Sequence, residues 1–346
     1  MVEGRTAGRR WLWTTVLLTA GALAAAVVMA PSGSDSPQRG LTWLLFLGSS
    51  VHVASTAWLY TLSDVRSHID RHRLRYLWAP LGLVVVAAVT AAVISPSALA
   101  WLLLPYFAWQ FFHFQKQNLG MAALAATSHR VTALRPSERR ALTVAGGAGI
   151  AGLMAHPGLL QLRIDPGIGA VFTVAASVFA GAVAFGVLAL ARRPASKRPV
   201  GFCALYLVAL LFSLPVFVFS SPYAAVGGMT VAHGLQYLLL VGLIAGGGRP
   251  GTTRLRRLFL FFDVALLGGL ALSAASHLHG ASPAGRLLFG AYLGAVMAHF
   301  VVDAGLWRLR DPFPRSFMTR RLPFLVPPLP TGVRTLAPDR SSADIR

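Results

Sequence analysis

The sequence is poor in cysteine and in acidic residues. The chain of 346 residues has one cysteine, Cys203, so neither a disulfide within the chain nor a cysteine-based metal site can form. It has 11 Asp and Glu against 31 Lys and Arg, which gives a formal net charge of +20. Nucleic-acid binding would require these basic residues to gather on one soluble face, but they occur in short clusters between apolar runs. No nucleic-acid partner is therefore expected.

The sequence also lacks a polar stretch long enough to fold as a sizeable soluble domain. Hydrophobic residues make up 55% of the chain and charged residues only 12%. The apolar runs repeatedly reach the roughly 20 residues that a membrane-spanning helix needs. The composition predicts an all-α, polytopic transmembrane helix bundle whose main partner is the lipid bilayer. We expect about ten spans, near residues 11–30, 41–62, 77–95, 97–117 or longer, 141–158, 167–191, 200–220, 222–246, 258–275 and 286–307.

The basic residues predict the orientation of these spans. All but three of the Lys and Arg residues fall in the termini and in every second connection, and the exceptions are Arg39, Arg163 and Arg286. By the positive-inside rule both termini are then cytosolic, in a bacterial-type inner (plasma) membrane. The first apolar run exceeds the roughly 7–15 residues of a signal-peptide core, which favours an uncleaved span over a cleaved signal. Residues 1–310 are expected to form one transmembrane domain, followed by a basic, Pro-rich cytosolic tail, 311–346, with little regular structure.

Four histidines fall inside the predicted spans, on helices that all run from outside to inside: His52, His113, His233 and His299. At about 1.5 Å per residue, His52, His233 and His299 share a layer near the middle of the bilayer. His113 joins that layer if its helix continues through residues 119–126, which gives about 30 residues. Ionisable side chains in hydrocarbon are costly and therefore indicate function.

Polar companions lie on the same helix faces as these histidines. Asp303 follows His299 by four residues, Gln236 and Tyr237 follow His233 by three and four, and Gln117 follows His113 by four. Neutral imidazole is a strong metal ligand, and its second nitrogen usually donates to a neighbouring acceptor. The pattern predicts a metal site with the four histidines as ligands and Asp303 as a fifth ligand or orienting group. Gln117, Gln236 and Tyr237 would support it in catalytic or orienting roles.

Without a thiolate, an imidazole-rich site suits iron, copper or zinc. We favour iron, because oxygen and lipophilic substrates both partition into the bilayer, and we expect an iron-dependent oxidoreductase. Three other hypotheses stay open. The histidines could only link helices by hydrogen bonds in a structural subunit, or they could be axial ligands of a b-type haem. They could also form a proton relay in a transporter or permease with Asp303, Asp263 and Lys116.

Three local patterns carry a resemblance: Trp109-x3-His113-Phe-x-Lys116-Gln117-x2-Gly120, His233-Gly-x-Gln236-Tyr237 and His299-Phe-x2-Asp303-x3-Trp307-Arg308. Together they resemble a recurring pattern of bacterial polytopic membrane proteins. The spread of His52, His113 and His233 over separate helices distantly resembles the bacterial and archaeal beta-carotene dioxygenases. In that family, single histidines on separate helices hold a ferrous ion that cleaves a carotenoid with oxygen.

The resemblance implies an iron-dependent oxygenase that acts on a lipophilic substrate. That family has a further histidine one helical turn after its third one. Tyr237 stands at this position here, so His299 would have to supply the missing ligand. The eight-histidine set of HxxxH and HxxHH boxes of membrane desaturases is absent from the sequence, which has one HxxxH spacing, His68 and His72, and no HxxHH, and this disfavours that di-iron class.

Overall fold

The chain folds into helices, and no strand occurs among the residues that the structure describes. The computed structural model describes residues 2–31, 37–128, 131, 133–247, 252–280 and 282–328. The helices are α1 (Val2–Val28), α2 (Arg39–Phe46), α3 (His52–Leu59), α4 (Ser63–Arg71), α5 (Ala79–Val93), α6 (Pro96–Ser128), α7 (Pro136–Ala155), α8 (Gly169–Ala191), α9 (Val200–Leu210), α10 (Leu214–Val218), α11 (Gly228–Gly246), α12 (Thr252–Ser276), α13 (Pro283–Leu306) and α14 (Pro312–Arg321). The π-helical segments Leu47–Val51, Leu74–Trp78 and Tyr223–Gly227 lead into α3, α5 and α11. The fold class predicted from the sequence is therefore confirmed as all-α.

Six helices are long and apolar enough to cross a membrane, which makes this a multi-pass membrane protein by length and composition. They are Thr6–Val28, Leu74–Val93, Gly169–Ala191, Tyr223–Gly246, Thr253–Ser276 and Pro283–Leu306. The other four predicted spans are helical as well, but they are more polar or shorter, and α6 carries Gln117, Lys116 and His113 in its middle. The number of ten crossings and the cytosolic side of the termini stay predictions.

Two prolines lie within predicted spans, and the helix is interrupted near only one of them. The segment around Pro215 is interrupted, because α9 ends at Leu210 and α10 begins at Leu214. In contrast, α6 continues for 33 residues through Pro105 and Gly120 without a break. The fourth span is therefore the longer of the two predicted versions, and His113 lies near its middle.

Helix α11 lies at the centre of the packing that concerns function. It contacts α1 on one side and α12 and the α2–α3 helix on the other, while α13 packs against α5 and α12. A Cβ added at Gly234 would clash with the backbone of Gly48. Two glycines thus let α11 and the α2–α3 helix touch backbone to backbone, which brings His52 and His233 close together.

The segment after residue 310 contains more regular structure than its composition predicts. Helix α14 buries Phe317 and Met318 at the end of the bundle where α6 and α13 finish. Arg320 and Arg321 each lie 3.5 Å from the carboxylate of Asp64. We call the end of the bundle that carries Arg320 and Arg321 the basic end. An apolar face explains why the Pro-rich segment folds here. Residues 329–346 lie outside the described part.

Asp263 is not the buried carboxylate that the sequence suggested. It is exposed on α12, whose buried side carries Phe261 and Ala265. Two residues of helix correspond to about 200°, so a residue two positions after Phe261 points away from the bundle. Asp263 therefore takes no part in the site described below.

Candidate metal centre

Four imidazole rings from four separate helices meet inside the bundle. The rings of His52 and His113 each lie 5.0 Å, centroid to centroid, from the rings of both His233 and His299. Neighbouring rings are turned by 71° to 88° relative to each other. All four side chains are buried. The rings form a closed four-membered arrangement around one point, which we call the histidine cluster.

The local structure of the helices helps to place these rings. His52 is the first residue of α3, directly after the π-helical segment Leu47–Val51, and a second π-helical segment ends just before α11, which carries His233. A π-helical turn contains an extra residue, which changes the direction of the helix face that follows, and such turns are frequent at functional sites. Aromatic stacking then fixes two rings: Phe114 lies 4.0 Å from His233, and Phe300 lies 4.6 Å from His113, in nearly parallel planes.

The cluster leaves imidazole nitrogens without a hydrogen bond. Among the described residues, none bonds to either ring nitrogen of His233 or to Nε2 of His113 or His299, whereas the His52 ring lies beside the backbone carbonyls of Gly48 and Ser49. Leaving buried polar atoms unpaired costs about 1–3 kcal/mol each, so this number of orphaned nitrogens calls for a partner. Nitrogen lone pairs that converge in a dry site suit a metal ion.

The donor atoms are spaced so that they could hold such an ion. One ligand atom from each of His52, His233 and His299 falls within 4.8 Å of the others, and the same is true of His113, His299 and Asp303. Two nitrogens on opposite sides of an ion would be about 4.2 Å apart, twice a metal–nitrogen bond of about 2.1 Å. Small inward shifts of the side chains would therefore close either group around an ion.

A chain of hydrogen bonds orients His299. Thr56 Oγ1 lies 2.6 Å from His299 Nδ1 and 2.8 Å from the Tyr237 hydroxyl, and that hydroxyl donates to Asp303 Oδ1 at 3.0 Å. Because each hydroxyl has one hydrogen, Thr56 must donate to Tyr237, and Nδ1–H of His299 must donate to Thr56. This assignment leaves Nε2 of His299 with its lone pair free toward the cluster.

The second oxygen of Asp303 faces the cluster itself. Its Oδ2 atom lies 3.7 Å from His299 Nε2 and 3.8 Å from His113 Nε2. The carboxylate thus accepts a hydrogen bond with one oxygen and directs the other toward two imidazole nitrogens. This position is compatible with either role that the sequence predicts for Asp303, ligand or orienting group.

Gln117 and Gln236 form a separate amide network. Gln117 Nε2 donates to the backbone oxygen of His233 and to Gln236 Oε1, each at 2.9 Å. Gln236 Nε2 donates at 2.8 Å to Thr19 Oγ1, and Thr19 donates at 2.7 Å to the Thr15 carbonyl. The network ties α6 and α11 to α1, so both glutamines act on the ligand helices and not on a ring nitrogen.

The structure brings together all eight residues that the sequence selected, and it adds two threonines that sequence reasoning missed. Thr56 follows His52 by four residues, so the same helix-face rule that selected Tyr237 and Asp303 would have found it. Thr19 has no such signal, because α1 carries no histidine and contacts the site only through tertiary packing. Whether the cluster binds a metal stays a prediction.

A cavity opens from the cluster toward the basic end. It has a volume of about 500 Å³ and lies between α6 and α13, with His113, Tyr237 and Asp303 in its wall. The size falls within the range of about 300–1,000 Å³ that is typical of ligand pockets. The cluster is therefore accessible to a small molecule from one side.

Comparisons of the chain with protein-family models, with curated proteins and with solved structures found no match.

Proposed function

We propose that this protein is a membrane-embedded iron enzyme that oxidises a lipophilic substrate with molecular oxygen. The observation that carries the proposal is the histidine cluster, four buried imidazoles at 5.0 Å spacing whose free nitrogens face one another beside Asp303. His52, His113, His233 and His299 would hold the ion, with Asp303 as the adjacent carboxylate. Bound iron would supply the activation of oxygen.

The chemistry of the donors supports a transition metal over a hard cation. Imidazole nitrogen suits iron, copper or zinc, whereas magnesium and calcium prefer oxygen ligands. Cys203 belongs to neither group of possible metal ligands, so no thiolate competes. Among the three metals we choose iron, because oxygen and apolar substrates both partition into the bilayer and the cavity would admit them to the site.

The residues around the cluster would each have a defined role in the reaction. Thr56 and Tyr237 hold His299 in the tautomer that presents Nε2, and Asp303 ends this hydrogen-bond chain. Phe300 and Trp109 form apolar walls of the cavity that exclude water near His113. A dioxygenase reaction would need no further reductant, since both oxygen atoms enter the products.

A proton-coupled transporter is the second candidate function. It is favoured by the continuous hydrogen-bond chain from His299 through Thr56 and Tyr237 to Asp303. This chain begins and ends on α13 and so returns to the same helix without crossing the bundle. Haem has less support, because a porphyrin would have to lie between rings that already contact one another at 5.0 Å.

Metal analysis of purified protein tests the proposal. We expect about one iron per chain, and we expect the His233→Ala and His299→Ala variants to lose it. His279→Ala serves as the matched control, because His279 is exposed and distant from the cluster in sequence. To separate metal loss from misfolding, iron should also be removed from the wild-type protein with a chelator and restored in stoichiometric amount.

Each alternative has its own result in this experiment. Wild-type protein that neither carries nor takes up iron, copper or zinc contradicts the metal site. A Soret band would assign haem in place of a bare ion. Metal-free protein that drives solute uptake across a proton gradient in liposomes would support the transporter.

A further inference from the structure

The cavity beside the histidine cluster is elongated along the helix axes. On α6 its wall extends from Trp109 to Leu124. On the other side it extends from Phe300 to Ala304 on α13 and continues from Trp307 to Arg310 beyond the end of that helix. Fifteen residues of α6 correspond to about 22 Å at 1.5 Å per residue. A volume of about 500 Å³ spread over that length has the proportions of a chain-like ligand.

The two ends of the cavity differ in chemistry. Trp109, Phe112 and Phe300 surround the end near His113, which is mostly apolar apart from the site residues and Lys116. Arg308 and Arg310 line the other end, where α13 has finished and the basic end of the bundle begins. The cavity is therefore amphipathic along its length.

The cations of the cavity are incompletely neutralised. Arg308 and Arg310 lie 3.8 Å and 4.0 Å from the single carboxylate of Asp311. The ammonium of Lys116, one turn after His113, lies 5.0 Å from the centre of the Phe112 ring. Asp311 does not line the cavity, and Asp303 lines it beside His113, so the basic end of the cavity keeps an excess of positive charge from Arg308 and Arg310.

We propose that the cavity binds a single-chain lipid with an anionic headgroup. The headgroup, a carboxylate or a phosphate, lies beside Arg308 and Arg310, and the apolar chain extends past Asp303 and His113 toward Trp109. This inference rests on the proposed function, because it names the substrate class of the same site.

The direction of binding has a consequence for selectivity. Arg308 and Arg310 anchor the charged end, so they set how far the chain reaches along the cavity. The position on the chain that lies beside His113 and Asp303 is then determined by its distance from the headgroup. A neutral lipid with the same chain would have no such reference point and would bind in several registers.

Quenching of tryptophan fluorescence by brominated lipids tests this binding mode. The protein is placed in nanodiscs of phosphatidylcholine and titrated with dibromostearate or with the matching dibromostearyl alcohol. Trp109 and Trp307 line the cavity, so the acid should give a saturable quenching step that the alcohol lacks, and that step should disappear in the Trp109→Phe/Trp307→Phe double variant. Displacement by oleate or by oleyl phosphate then identifies the preferred headgroup.

Charge variants show whether the cavity cations are responsible. Arg308→Gln and Arg310→Gln should each weaken binding of the acid roughly fivefold, the effect of about one basic residue on an anionic lipid. Lys197→Gln is the matched control, because Lys197 is an exposed cation outside the cavity wall. Equal affinity for acid and alcohol, or an equal effect of Lys197→Gln, would overturn the proposal.

Iron content measured on the same samples separates the two proposals. Iron-loaded protein that does not prefer the acid rejects the anionic lipid and leaves the metal site standing. Protein that prefers the acid but binds no metal keeps the ligand assignment and rejects the iron enzyme.

Discussion

At the scale of single residues, Thr56 shows how a neutral side chain can orient a candidate metal ligand. Its hydroxyl is the only link between His299 Nδ1 and the Tyr237–Asp303 pair among the described residues. Partners of this kind fix the tautomer and the direction of a ligating imidazole. The nitrogen that faces the cluster is thus set by a residue on a different helix, α3.

We expect Thr56→Val to weaken metal binding about 10- to 100-fold, the usual loss when a partner of a metal-ligating histidine is removed. Valine keeps the shape of threonine but leaves His299 Nδ1 without its acceptor. The dissociation constant for Fe²⁺, measured by competition with a chelator, checks this. Thr61→Val is the control, since Thr61 bonds only to the nearby Trp58 carbonyl. An unchanged constant in Thr56→Val would show that His299 is oriented by other contacts.

At the scale of helices, α14 closes the basic end through contacts with α4. His68 of α4 stacks on Phe313 of α14 at 4.0 Å with an angle of 3° between the rings, and Asp64 lies near Arg320 and Arg321. Partial burial, together with the charges of His72, Arg71 and Arg75, lowers the pKa of His68 from 6.5 to about 4, although Asp311 opposes the shift. The docked helix therefore requires neutral His68.

This pKa shift predicts that acid releases α14. His68 binds a proton more weakly when α14 is docked than when it is not. The contact between α14 and α4 therefore has its full stability above about pH 6.5. It loses stability as the pH falls from 6.5 toward 4. Amide hydrogen exchange of residues 312–321, corrected for intrinsic rates, should be faster at pH 5 than at pH 7.5.

A pair of histidine variants isolates the cause of this pH effect. His68→Gln removes the titrating ring that contacts Phe313 and should make exchange in α14 independent of pH over this range. His72→Gln leaves the ring contact between His68 and Phe313 in place and should retain the dependence. If His68→Gln keeps the same pH dependence as the wild type, another group is responsible.

At the scale of the whole molecule, the distribution of basic residues and the packing agree on one charged end. Helices α6 and α13 finish there, α14 packs there, and the cations of the cavity lie on that side. One basic residue has a different role from the one expected of a topology signal. Arg193 is buried and pairs with Glu138 through two hydrogen bonds, so it joins α7 to the segment after α8.

The predicted topology can be tested with single cysteines in a Cys203→Ala background. Ser95→Cys and Ser282→Cys, both exposed between helices, should react with a membrane-impermeant maleimide from outside intact cells. Ser67→Cys and Ser316→Cys, both at the basic end, should react only after permeabilisation. Labelling of Ser95→Cys and Ser67→Cys from the same side would contradict ten crossings, since these residues flank one predicted span.

The sequence by itself determined the helical class and the residues that accompany each histidine, because composition and the 3.6-residue period are local properties. It could not determine which face of an apolar helix is buried, since lipid and protein interior are both apolar. For that reason Asp263 was misplaced, and Thr19 gave no signal. Only the tertiary structure decided that His52, His113, His233 and His299 share one point, because their meeting depends on contacts such as Gly48 against Gly234, far apart in the chain.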